Sequence, residues 1–148
     1  MSNLSVNRSE PKRDHAMEIS NLSPLTLGAR SVFKAMVWIF ATCILIQVFL
    51  AGLALFWNQA QWSSHMGFAR VLIIVPILMF VVSFVARLPL SLRLRSAGLI
   101  GLVIVIAVCA NLPSGIGYLS ALHPVIAVIL LVETMSIARR TRAITKAI

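Results

Sequence analysis

Acidic residues are scarce in this sequence: four Asp and Glu stand against thirteen Lys and Arg in 148 residues. Charged residues of all kinds make up 11%, where a soluble domain carries about a quarter. That shortage excludes an ordinary soluble domain, although the length suits a single one. Cysteine is also sparse. Cys43 and Cys109 both lie inside apolar stretches, and Cys43 precedes Trp57 by fourteen residues while Cys109 precedes Pro113 by four. At a helical rise of about 1.5 Å per residue their depths differ by roughly 15 Å, too far for a disulfide. No C-x-x-C-H is present, which excludes covalent c-type haem attachment.

Apolar residues are what the chain has instead, at 59%, gathered in blocks of lipid-spanning length. Residues 1–30 are polar, aperiodic and of mixed charge, and read as a disordered tail; His15 within it reads as a solvated histidine. They are too long and too mixed for the start of a secretory signal. Four blocks follow, over about 32–56, 65–86, 97–112 and 119–138. A bilayer takes roughly 17–25 helical residues to cross, so the third block spans only with its flanking residues. The expected fold is all-α: a four-transmembrane-helix antiparallel bundle of two helical hairpins over 31–140, with a basic tail at 141–148.

The net charge of +9 suits a phosphate-binding surface, but the basic residues flank the apolar blocks and so report topology, not nucleic acid. Arg8, Lys12, Arg13, Arg30 and Lys34 precede or open the first block. Arg87, Arg93 and Arg95 lie in the middle connection, and Arg139, Arg140, Arg142 and Lys146 at the C-terminus. The remaining connections, "WNQAQWSSHMG" and "PSGIGYLS", hold no Lys or Arg. Positive charge stays inside, so both termini are expected in the cytoplasm, in a bacterial inner membrane. Trp57, Trp62 and Tyr118 lie in the uncharged loops, as an interfacial aromatic belt does.

This orientation gives two histidines a common address. His65 opens the second span and His123 the fourth, both from the outer face. Two neutral imidazoles at matching depth on bundle helices suit the axial positions of one haem iron; taken singly, each also suits an interfacial polar residue. Small residues, Ala51, Gly52 and Ala54 in span 1 and Gly98, Gly101, Ala107 and Ala110 in span 3, allow close approach of helices or of a flat macrocycle. Arg70 is the one basic residue outside the cytoplasmic set. It offers a partner for a haem propionate, with snorkelling to headgroups as the alternative. Lying five residues beyond His65, it faces about 140° away from it. Gln47, mid-span, needs a partner: a cofactor edge, a histidine nitrogen or a neighbouring helix. Glu133, about 15 Å deeper than His123, is expected to pair with a cytoplasmic Arg or to remain a neutral acid, with a proton path as the other reading. Asn111 reads as a cap, Pro76 as a kink and Pro89 as a turn. Pro124 suits a first helical turn, placing His123 at the helix start or above a kink.

The stretches "QVFLAGLALF", "QWSSHMGFAR" and "ALHPVIAVILL" resemble, in that order, an uncharacterised bacterial family of small four-helix membrane proteins. That family shows Q-x-F-L-A-G in its first span, W-x-x-H opening the second and A-L-H-P-V opening the fourth. The likeness covers about 33–140. Members often carry Asn two residues after the proline, where this chain has Ile126. More distantly, the pattern is similar to one half of heme A synthase and to four-helix b-type cytochrome domains, in which histidines at helix mouths bind haem. The resemblance implies haem b held by His65 and His123, but no reaction. A six-coordinate iron favours electron transfer, to or from a quinone or an exported redox protein. Whether the chain is an enzyme stays open. The alternative is a cofactor-free scaffold or accessory subunit, in a homo- or hetero-oligomer. A minimal proton-coupled transporter fits less well, because the first span has no acidic residue and only Glu133 could serve.

Overall fold

The structure is a computed structural model that describes residues 23–146; His15 and the rest of 1–22 lie outside them. The described residues are all helical, with no strand. Helix α1 runs Pro24–Phe56, α2 Gln61–Leu72, α3 Ile74–Val85 and α4 Leu90–Ala110; a 3-10 segment, Ser114–Ala121, leads into α5, Leu122–Lys146. Helices α2 and α3 form one span, so four helical segments are long and apolar enough to cross a membrane. Each packs on its sequence neighbours, and α1 also packs on α5, closing a square antiparallel bundle. Spans 2 and 4 stand diagonally opposite and make no backbone approach.

Local chemistry moves several boundaries beyond the apolar blocks. Residues 24–30, expected in the tail, are helical. Ser23 caps the helix, its Oγ accepting from the Thr26 amide at 3.3 Å, and Pro24 stands in the first turn, where no amide bond is lost. Likewise α4 starts at Leu90 behind Pro89, seven residues before the apolar block, so the third span reaches crossing length. Helix α5 continues through the basic residues to Lys146, because long Lys and Arg stems suit a helix that has left the apolar zone.

Proline and asparagine act as their positions imply. The break between α2 and α3 falls at Ile73, three residues before Pro76, whose missing amide leaves the Leu72 carbonyl without its helical donor. Asn111 ends α4, its Nδ2 donating to the Ala107 carbonyl at 2.7 Å. Between α3 and α4 the chain reverses at Arg87, φ 47°, and Arg30 of α1 donates from Nε to the Ala86 carbonyl there at 3.1 Å.

Packing differs between the two ends. The core cluster, including Phe33, Val37, Phe40, Met79, Leu92, Leu99 and Ile137, fills the half of the bundle nearer Pro24 and Lys146. Buried hydroxyls in this half bond their own helix: Thr134 donates to the Leu130 carbonyl at 2.7 Å and Ser96 to that of Leu92 at 3.0 Å. At the other end, none of the twelve residues of α2 is buried. Large apolar side chains such as Phe49, Leu55, Val81 and Val128 face outward, as lipid contact requires. Cys43 and Cys109 are both free thiols. The small residues of span 3 do not serve close helix contact: Gly98, Gly101, Ala107 and Ala110 are all exposed, because the packed face of α4 is the one bearing Leu92, Ser96, Leu99 and Cys109.

Candidate functional site

The loosely packed end is where the histidines lie. His65 occupies the second turn of α2 and His123 the first turn of α5, next to Pro124. The His-Pro pair therefore marks a helix start and not a kink. Although their helices are diagonal in the bundle, both rings reach inward and meet, with centroids 6.2 Å apart and planes tilted by 53°. Both are half-buried.

Each ring is held by the helix that precedes its own. His65 Nδ1 donates to the Gln47 carbonyl of α1 at 3.1 Å, and His123 Nδ1 to the Ile106 carbonyl of α4 at 3.3 Å. The two hairpins thus repeat one arrangement: a histidine on the second helix bonds a backbone carbonyl of the first. A carbonyl can only accept, so each Nδ1 donates; in the neutral ring Nε2 is then the nitrogen with the lone pair. No hydrogen bond occupies either Nε2 among the described residues. This is the second contact expected of an imidazole prepared to ligate a metal.

Trp62 supports the first ring. Its indole meets His65 edge-on, with centroids 5.6 Å apart and planes at 88°. The W-x-x-H spacing is the signal, since residues three apart on a helix are neighbours. Read from sequence alone, Trp62 belongs to the interfacial belt; its ring contact adds a second role. Ile106 went unanticipated, because a backbone carbonyl leaves no mark in a sequence.

Gln47 contributes differently from the expectation of side-chain glue. Its backbone carbonyl, not its amide, bonds His65, and its Oε1 is buried with no hydrogen-bond partner. Arg70 is exposed on α2 and makes no hydrogen bond or ion pair with any described residue, so the structure leaves it outside the ring pair. Glu133 lies at the opposite end of the bundle and pairs with Arg95, Oε2 to Nη1 at 2.7 Å, which bears out the expected ion pair. Among the described residues no three His, Cys, Asp or Glu side chains cluster. The donor set is two imidazoles, half of what a closed tetrahedral zinc site uses.

Residues 47–111 match DUF6220, a family of unknown function. The matched stretch begins at Gln47, includes His65 and stops before His123. No curated protein and no solved structure matches the chain. The match agrees in kind with the resemblance to an uncharacterised family; the likeness to heme A synthase and b-type cytochromes finds no support in it.

Proposed function

We propose that this is a membrane-integral, b-type cytochrome-like protein whose His65 and His123 hold one haem b between spans 2 and 4. The observation that carries the reading is the meeting of the two rings across the bundle diagonal, each with Nδ1 engaged and Nε2 available. Rings this close could both reach one metal ion, and His65 and His123 are the residues that would hold it. The separation here is 6.2 Å.

A haem held by these residues would supply a one-electron iron couple suited to electron transfer. The protein's own residues do the rest. The Gln47 and Ile106 carbonyls fix the tautomer and orientation of the two rings. Trp62 limits rotation of the His65 ring. Arg70, exposed on the same helix as His65, would be the cationic partner for a propionate. With the termini in the cytoplasm, as the distribution of Lys and Arg implies, the site lies toward the outer face of an inner membrane. A quinone or an exported redox protein is then the exchange partner.

A cofactor-free scaffold or accessory subunit is the second reading, and the same hydrogen bonds favour it, since each stitches one helix to its neighbour. Absorption separates the two. Protein purified from haem-replete cells is expected to show a Soret band, with sharp α and β bands after dithionite; a colourless preparation after haem supplementation supports the scaffold.

A further inference from the structure

At the end of the bundle where α1 begins and α5 ends, a groove of about 440 Å³ lies between α4 and α5. Leu94, Leu102 and Ile129 wall it, Gly98 contributes no side chain to it, and Arg95 and Glu133 supply its polar surface. Arg95 lies five residues into α4, roughly 8 Å along the helix from its start, which is a headgroup depth for a span entering at Leu90. The two charged side chains are partly exposed, at 31% and 41%.

The pair is incompletely used. Only Nη1 of Arg95 is engaged, by Glu133 Oε2 at 2.7 Å and at the limit by Ser136 Oγ at 3.5 Å. Arg95 Nε and Nη2, and Glu133 Oε1, have no partner among the described residues. A guanidinium presents a planar fork of donors that matches phosphate. The free carboxylate oxygen calls for a cationic N–H donor, and the pair as a whole is neutral.

We propose that this groove binds the headgroup of an aminophospholipid, with its phosphate on the free edge of Arg95 and its primary ammonium on Glu133 Oε1. The apolar walls receive the glycerol and the upper acyl chains. Charge complementarity selects this occupant. An anionic glycerol headgroup has no cation for Glu133, and a choline headgroup has no N–H to donate. The surrounding Arg87, Arg93, Arg139 and Arg140 attract anionic lipid in general, so a preference for a zwitterion at this groove runs against the background field and marks a specific site. The inference stands apart from the haem reading, which concerns the other end of the bundle.

The test is native mass spectrometry of the full chain after reconstitution with equal amounts of phosphatidylethanolamine, phosphatidylglycerol and phosphatidylcholine. Wild-type protein is expected to retain phosphatidylethanolamine above the other two. Glu133→Gln should lower that preference about fivefold, the scale of one charge at a membrane surface, and turn retention toward phosphatidylglycerol as Arg95 loses its counter-ion. Competition of phosphatidylethanolamine against its N-methylated series needs no variant, and retention should fall as N–H groups are lost. Wild-type retention of phosphatidylglycerol over phosphatidylethanolamine, or a preference indifferent to N-methylation, overturns the proposal.

Discussion

His65 and His123 sit on helices whose backbones do not approach each other, yet their rings stand 6.2 Å apart, each bonded to a carbonyl of the preceding helix. That relationship ties the ends of both hairpins to one point on the bundle axis. It also gives the two ligand candidates the same Nδ1 bond to a backbone carbonyl, which is the basis for the predictions that concern them.

Gln47→Leu separates structural from cofactor roles. In haem-free protein the change removes a buried, unpartnered acceptor and leaves the backbone bond to His65 in place. Unfolding in detergent should therefore show unchanged or raised stability, by about 1 kcal/mol, the lower end of the cost of an unsatisfied buried group. In haem-loaded protein the same variant should shift the midpoint potential.

The chain reversal offers a stability test far from the site. Arg87 adopts φ 47°, which costs an L-residue roughly 1–2 kcal/mol and glycine almost nothing. Arg87→Gly should raise stability by about 1 kcal/mol, less than the full difference because glycine has more freedom to lose. Arg30→Leu should lower it by about 1 kcal/mol by removing the donor to the Ala86 carbonyl.

A double-mutant cycle on Arg95 and Glu133 should give a coupling of about 0.2–1 kcal/mol, the range for partly exposed pairs, falling as salt is raised. Stability measured for Arg95→Gln, Glu133→Gln and both together supplies the number. A coupling of several kcal/mol would mean that the pair is far drier than its exposure of 31% and 41% indicates.

Orientation is open to cysteine labelling in a chain with Cys43 and Cys109 replaced. Gln59→Cys and Gly115→Cys should react with a membrane-impermeant reagent from outside intact cells, and Ser91→Cys only after permeabilisation. The opposite pattern would reverse the topology drawn from the Lys and Arg distribution.

Much of the fold was legible because apolar length and basic flanks are one-dimensional signals. The four spans and the placement of His65 and His123 at a common end follow from them. Boundaries were less so: Ser23-Pro24 starts a helix inside a polar stretch, and "LSLRLR" after Pro89 is helical although its charges break the apolar run. The Glu133 partner could be named only as a cytoplasmic Arg, since Arg95 becomes its neighbour through packing of α4 on α5. Meeting across the diagonal was not legible either. It depends on carbonyls of Gln47 and Ile106, and every residue type supplies a carbonyl.

Whether both imidazoles ligate one haem is measured most directly by titrating haem into purified wild-type, His65→Ala and His123→Ala proteins, following absorption and ferric electron paramagnetic resonance. The account predicts one equivalent taken up by the wild type with a low-spin ferric signal, and loss of that low-spin signal in either single variant. A low-spin signal that survives both substitutions, or a wild type that takes up no haem, would contradict it.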